Sequence, residues 1–170
     1  MKYLHFLACV LSLLLYSCAN NSEDPQTETI LPIVQDYLPS TVSFSVEDSE
    51  WVGNIKGWAA KQVRVDNLSE LPADPLGFSD AYSGINFNKY TLLLWYDIHN
   101  WPIDTYRSRY YRDNIEGIYN WNIRVGTATP TGDSASQWYF SRYAILVNKI
   151  PADKDVKVWF SLGALNWGWE

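Results

Sequence analysis

The chain has 170 residues and a formal net charge of −6, from 13 basic and 19 acidic side chains. Its length suits a single domain, and 47% hydrophobic and 16% aromatic residues are enough to build a substantial core. An acidic body of this kind repels phosphate backbones, which excludes nucleic acid as an expected partner.

The amino terminus has the layout of a bacterial secretion signal. Lys2 precedes an apolar run over residues 4–15, which is too short to span a bilayer stably. The run ends in Leu15-Tyr16-Ser17-Cys18, which resembles the lipobox of bacterial lipoproteins. The resemblance implies that residues 1–17 are a cleaved signal peptide and that Cys18 carries lipid, with palmitate among the acyl chains. We therefore expect a lipid-anchored protein of the cell envelope, located at the outer membrane.

Residues 18–39 are predicted to form the lipidated cysteine and a flexible tether. The segment starts with polar and acidic residues, and Pro32 and Pro39 interrupt its second half. Ser22-Glu23-Asp24 resembles the acidic surface-export signal of Bacteroides-type lipoproteins, although any lipoprotein linker is polar. The sequence therefore leaves surface exposure open.

From Ser40 onward the dominant hydrophobic period is two, which is typical of β-strands. Residues 90–96 form a continuous apolar run, which predicts a central strand covered on both faces. One helical turn is predicted over residues 67–70, capped by Asn67 or Ser69. The remaining strands are predicted over residues 42–46, 61–65, 106–112, 119–125, 138–147 and 156–162. This pattern predicts an all-β fold, a single antiparallel β-sandwich or small barrel-like domain over residues 40–170.

A second resemblance covers roughly residues 60–162. The segment over residues 86–94 carries Phe-x-Lys-Tyr-x-Leu-Leu and is similar to a strand of small Bacteroides-type envelope lipoproteins. Three further segments follow in the order found in those lipoproteins: Gly117-Ile118-Tyr119, Lys149-Ile150-Pro151 and the strand over residues 156–160. The layout is also distantly similar to the all-β domain of a spirochaete lipoprotein that stabilises a surface protease complex, but the Gly-Gly-Tyr of that protein is missing. The resemblance implies an all-β envelope protein in a group whose activities are largely unassigned.

The side chains of the mature chain offer little for catalysis. His99, near Asp97 and Asp104, is the one histidine beyond the signal segment, and no Gly-x-Ser-x-Gly nucleophile elbow is present. We expect His99 to be a loop residue at the end of a strand. The two cysteines lie in the signal segment and at Cys18, which leaves no thiolate set for a transition metal. We expect no cofactor, no metal and no enzymatic activity, and we expect the acidic run over residues 47–50 to form a solvated turn.

All nine tryptophans lie beyond the signal segment. Alternation predicts core positions for Trp95, Trp121 and Trp138. It places Trp159 on the polar face of its strand, opposite Val158 and the other apolar residues. Aromatic rings on the polar face of a sheet are typical of sugar-binding platforms, because a pyranose can lay its C–H face on the ring. The alternative is that such rings fill the ends of the sandwich or pack under loops.

The strand predicted over residues 106–112 concentrates arginine and tyrosine in an otherwise acidic chain. Alternation places Arg107, Arg109 and Tyr111 on one face and Arg112 on the other. Tyrosine and arginine are common anchors of binding interfaces, although they also stack on each other without a ligand. Trp101 sits in the restricted turn that leads into this strand. We predict a binding face made of Trp51, Trp101, Arg107, Arg109, Tyr111 and Arg112.

These observations predict a non-catalytic binding module on the membrane, held there by a lipid anchor, with a glycan or an envelope protein as ligand. The alternative is a stabilising or accessory subunit of an envelope protein complex.

Overall fold

The computed structural model describes residues 27–45, 47, 49–77, 82–128 and 137–164. Within these residues the chain forms eight strands, one short α-helix and 3₁₀ turns over Lys56–Trp58 and Leu68–Glu70. The helix, α1, spans Ser49–Ile55. The strands are β1 (Glu28–Ile30), β2 (Ile33–Ser45), β3 (Lys61–Val65), β4 (Tyr90–His99), β5 (Ile103–Asp113), β6 (Tyr119–Thr127), β7 (Gln137–Asn148) and β8 (Val156–Ala164).

The strands form two four-stranded sheets that pack face to face, so the expected all-β sandwich is confirmed. Sheet A has the strand order β1-β5-β6-β8, and sheet B has the order β2-β7-β4-β3. All pairs are antiparallel except β6 and β8, which are parallel. The parallel pair arises because β7 runs back through sheet B before the chain re-enters sheet A.

The core between the sheets is built from the alternating residues of both inner faces. From sheet A it takes Tyr110, Trp121 and Ile123, and from sheet B it takes Leu93 and Tyr143. Trp121 and Ile123 are fully buried, so the one-face-buried strand expected over residues 119–125 is confirmed. Burial of apolar area contributes about 25 cal/mol per Å², so this layer is a large source of stability.

A second core lies on the opposite face of sheet B. Leu92, Leu94 and Tyr96 point into it from β4, while Val52 and Ile55 of α1 cover it together with loop residues. Strand β4 is therefore buried on both faces, which confirms the central strand expected from the apolar run over residues 90–96. Sheet A has no such cover within the described part of the chain, and Ile30 and Trp159 on its outer face are each 58% exposed.

Strand structure begins at Glu28, so the predicted start of the ordered domain at Ser40 is wrong. The two prolines that favoured a tether are accommodated locally. Pro32 lies in the gap between β1 and β2, and Pro39 lies where the register between β2 and β7 shifts. Because β2 is an edge strand, a proline at its bulge removes little pairing. Residues 1–26, with the predicted signal peptide and Cys18, lie outside the described residues.

Two local predictions have different outcomes. The helical turn is confirmed at Leu68–Glu70, where the Asn67 side chain accepts a hydrogen bond from the Ser69 amide at 3.0 Å. The solvated turn predicted at residues 47–50 is wrong in part, because α1 starts at Ser49. A helix of seven residues is too short to show a 3.6-residue period in the sequence.

The tryptophan positions were also only partly predictable. Trp121 is fully buried and Trp95 packs against the core between the sheets, as expected. Trp138 is 36% exposed, so its predicted core position is wrong. It is the second residue of β7, where the strand reaches the end of the sheet. No helix among the described residues is both long and apolar enough to cross a membrane.

Candidate functional site

The outer face of sheet A is the candidate site, and alternation along β5 explains its composition. Tyr106 and Tyr110 turn inward to the core between the sheets. Arg107, Arg109 and Tyr111 therefore point outward, as predicted from the sequence. The strand presents two guanidinium groups and a phenol ring on one open surface.

The strand register places outward residues of neighbouring strands in rows across the sheet. A central row contains Arg109 of β5, Asn122 of β6 and Trp159 of β8. We call the outward residues of this face the sheet A platform. Its remaining rows are Ile30, Tyr111, Asn120 and Lys157 on one side, and Arg107, Arg124 and Ser161 on the other.

Trp159 is the largest exposed ring of the platform. Val158 and Phe160 pack into the core between the sheets, so Trp159 faces outward, as alternation predicts. Its side chain is 58% exposed. Its indole N–H donates to the Asn120 Oδ1 at 3.0 Å, which orients the ring against β6. The Trp159 ring is therefore fixed in orientation and remains exposed to solvent.

The polar groups around Trp159 are mostly cationic or amide side chains. The Arg109 guanidinium donates to Glu28 at 2.9 Å and lies 5.1 Å from the centre of the Tyr111 ring. Lys157 contacts Glu116 at 3.3 Å. Among the described residues no donor reaches the buried Asn122 Oδ1, a group that proteins rarely leave unmet. The platform therefore combines one flat ring with a dense set of hydrogen-bonding groups.

An open groove of about 510 Å³ runs beside the platform at the edge formed by β1. Thr27, Glu28, Thr29, Ile30 and Arg109 line it. The Ile30 side chain is 58% exposed, which adds an apolar contact at this edge. A ligand that lies across the platform can extend into this groove and reach the Arg109 guanidinium.

The structure does not bring all six predicted site residues together. Arg107, Arg109 and Tyr111 share the platform. Arg112 points to the opposite face of β5, and its guanidinium lies 3.8 Å from the position that a Cβ on Gly117 would occupy. The prediction of one shared face is wrong for Arg112.

The two predicted tryptophans also lie away from the platform. Trp101 sits in the turn before Ile103, and Arg109 lies six residues beyond Ile103 along the strand, a distance of roughly 20 Å. Trp51 belongs to α1, which packs on the far face of sheet B, and its side chain lies outside the described part of the structure. The predicted grouping of Trp51 and Trp101 with the arginine strand is therefore wrong. The exposed tryptophan of the platform is instead Trp159. Its position in one row with Arg109 follows only from the pairing of β6 with β8.

His99 forms a buried pair with Ser141 rather than the loop residue that the sequence predicted. The Nδ1 atom lies 2.6 Å from the Trp101 carbonyl oxygen, which can only accept, so Nδ1 carries the proton. Nε2 therefore accepts from the Ser141 Oγ at 2.9 Å. The pair has the geometry of a nucleophile and its base, but Ser141 has no exposed surface and His99 is 4% exposed. Substrate cannot reach Ser141 in this arrangement, and the pair ties β4 to β7.

Burial shifts the pKa values of two acidic groups, and one of them, Asp97, is the cross-strand partner of Ser141. Desolvation raises the pKa of Asp97 to about 6, because the carboxyl group is half-buried on the inner face of β4. Desolvation also raises the pKa of Asp36, an effect that the hydrogen bond from Tyr106 at 2.9 Å partly offsets. Burial lowers the pKa of His99, so the imidazole is neutral at pH 7.

A second open groove, of about 430 Å³, lies on the helix side of sheet B beside a buried charge cluster. Asp74 lines it and accepts from the Tyr96 hydroxyl at 2.8 Å, while the Arg142 guanidinium lies 3.5 Å away. Desolvation outweighs these contacts and raises the pKa of Asp74, and it lowers the pKa of Arg142 to about 10. Because the Asp74 oxygens are already used by Tyr96, Arg142 and the Leu76 amide, the cluster holds the fold together.

Among the described residues no three histidine, cysteine or acidic side chains meet as they would to hold a metal ion. Comparisons with protein-family models, with curated proteins and with solved structures find no match. The candidate site therefore rests on the geometry of the platform.

Proposed function

We propose that this chain is a lipid-anchored envelope protein that binds carbohydrate, without catalysis, on the sheet A platform. The lipobox-like segment ending at Cys18 supports the anchor, and the open sheet face supports the binding surface.

The exposed indole of Trp159 is the observation that carries this proposal. A pyranose has one face of C–H groups that packs on a flat ring and a rim of hydroxyls that needs hydrogen-bond partners. Asn120 fixes the ring, while Arg109 offers a polar group in the same row and Tyr111 offers one in the neighbouring row. An indole that is more than half exposed presents apolar area to water, which a sugar ring would cover.

The platform is an open surface, and this shape favours binding over catalysis. Catalytic sites are usually concave, because enclosure excludes water and strengthens electrostatic interactions. The one serine–histidine pair in the described structure lies in the core between strands, away from the platform.

The exposed apolar residues favour a second candidate, an accessory subunit of an envelope protein complex. Ile30 and Trp159 are each 58% exposed on the same face, together with Tyr111 and three arginines. Aromatic residues and arginine are enriched in protein interfaces, so the same platform also suits a protein partner.

The test is a glycan array probed with the purified protein and with two tryptophan variants. We expect Trp159→Ala to weaken binding of every glycan hit by at least about tenfold, the loss of about 1.4 kcal/mol from one aromatic anchor. Trp138→Ala is the matched control, because Trp138 is also partly exposed but lies in sheet B. Binding that survives Trp159→Ala would show that the site is misplaced. If no glycan binds, the proposal fails and the accessory-subunit role takes its place.

A further inference from the structure

The two most exposed apolar side chains of the platform lie on its two edge strands. Trp159 belongs to β8 and Ile30 belongs to β1, and each is 58% exposed. Strands β5 and β6 lie between them, so three strand spacings of about 4.8 Å separate the two residues by roughly 14 Å across the sheet. A single pyranose, which is about as wide as one such spacing, cannot cover both.

The hydrogen bond of the Trp159 indole directs the ring toward the row that contains Ile30. By strand register Trp159 lies beside Asn122, but its indole N–H donates to Asn120 at 3.0 Å. Asn120 shares its row with Tyr111 and Ile30. A ligand that stacks on the indole therefore continues most directly across Asn120 and Tyr111 to the β1 edge.

The side chains near the β1 edge are suited to sugar hydroxyls. The Arg109 guanidinium donates to the Glu28 carboxylate at 2.9 Å, and both side chains are 38% exposed. Guanidinium N–H groups only donate and a carboxylate only accepts, whereas a hydroxyl does both. The exposed parts of this ion pair therefore match two adjacent hydroxyls on one sugar ring.

The groove beside β1 gives the far end of such a ligand a place to lie. Its volume of about 510 Å³ is within the range of small-molecule sites. Glu28, Ile30 and Arg109 are among its lining residues, so the groove is continuous with the platform. The apolar surface of Ile30 can pack against the C–H groups of a sugar ring in this groove.

We infer that the platform binds a chain of at least three linked sugars that crosses the strands from Trp159 to the groove beside β1. Each sugar lengthens the chain by about one strand spacing, so a span of roughly 14 Å corresponds to about three residues. One ring covers Trp159, the next lies over Asn120 and Tyr111, and the third meets Ile30 and the Arg109–Glu28 pair. This inference rests on the proposed function, because it names the class of glycan that the same site selects.

The experiment measures binding of the purified full-length protein to glycan series of one to six residues. The array carries cello-, xylo-, manno- and malto-oligosaccharides, so that linkage and length vary independently. We expect the dissociation constant to fall by about tenfold or more between one and three residues of the preferred series. Between four and six residues it should change less than about twofold, because the added sugars extend past the edge of the sheet.

Variants at the two ends of the platform separate a chain-binding site from a single-sugar site. Ile30→Ser should weaken tetrasaccharide binding about fivefold and disaccharide binding less than about twofold, because only the longer chain reaches β1. Trp159→Ala should weaken binding at every length. Val34→Ser is the matched control and should change neither, because Val34 is an aliphatic residue 43% exposed on an edge strand of sheet B. Ile30→Ser and Val34→Ser should unfold at the same urea concentration as wild type, because both side chains are exposed.

The failures of the two proposals are distinguishable. If affinity does not depend on chain length and Trp159→Ala still removes binding, the inference is overturned while the proposed function stands. Tetrasaccharide binding that Ile30→Ser leaves intact would have the same consequence. If no glycan binds, or if binding survives Trp159→Ala at every length, the proposed function and the inference fail together.

Discussion

The half-buried carboxyl group of Asp97 gives a pH-dependent prediction that depends directly on the fold. Asp97 lies on the inner face of β4, opposite Ser141, and burial raises its pKa from the ordinary 3.8 to about 6. The folded protein therefore binds this proton more tightly than the unfolded chain does. The stabilisation is fully present below pH 3.8 and is lost as the pH rises through about 6.

The size of the effect is set by the two pKa values. A shift of about two pKa units corresponds to about 3 kcal/mol at full strength. Because the carboxyl group is only half-buried, solvent screening reduces this figure, and we expect about 1–2 kcal/mol. Asp97→Asn, which is neutral at every pH, should be more stable than wild type by this amount at pH 7.5. The difference should shrink below pH 6 and vanish near pH 4.

The assay is urea unfolding monitored by tryptophan fluorescence at several pH values between 4 and 8. His99 titrates with the opposite sign, since burial lowers its pKa, but it is present in both proteins and largely cancels in the difference. Asp104→Asn is the control, because this side chain is exposed on β5 and its replacement should stay within about 0.5 kcal/mol of wild type. An Asp97→Asn protein no more stable than wild type at pH 7.5 would refute the reasoning.

Four further substitutions test other parts of the chain. Asp74→Ala should cost about 3–5 kcal/mol in urea unfolding, because it leaves the buried Arg142 guanidinium without its carboxylate; a cost below about 1 kcal/mol would contradict the ion pair. Gly117→Ala should cost about 1 kcal/mol because Gly117 has a φ of 71°, whereas Gly53→Ala in α1 should stabilise by a similar amount; the same sign for both would be inconsistent with this backbone. Cys18→Ala should abolish incorporation of a palmitate analogue, and label that persists would rule out lipidation at Cys18.

The outward face of β5 was predictable because it depends only on local alternation. Arg107, Arg109 and Tyr111 share a face in any extended strand, whatever pairs with it. The same rule placed Trp159 away from the apolar face of β8. Period-two patterning therefore identified most members of the platform as outward residues.

The assembly of the platform was not predictable, because it depends on pairing between distant strands. Trp159 reaches the arginine strand only because β8 pairs in parallel with β6, after β7 has crossed to the other sheet. Closeness in the sequence instead favoured Trp101, but Trp101 lies in the turn before the first residue of β5, far from Arg109. The wrong prediction of a tether up to residue 39 also has its cause in strand pairing. A proline such as Pro39 usually indicates the end of a strand, but here it lies at a bulge of the edge strand β2.

The most direct test of the binding platform is the indole N–H spectrum of the protein during titration with its best glycan from the array. The chain has nine tryptophans, and the resonance of Trp159 can be assigned from its absence in Trp159→Phe. We expect the Trp159 resonance to shift with ligand concentration, while that of the buried Trp121 stays in place. A Trp159 resonance that does not move at saturating glycan, while that of Trp58 or Trp101 does, would contradict a binding site on the outer face of sheet A.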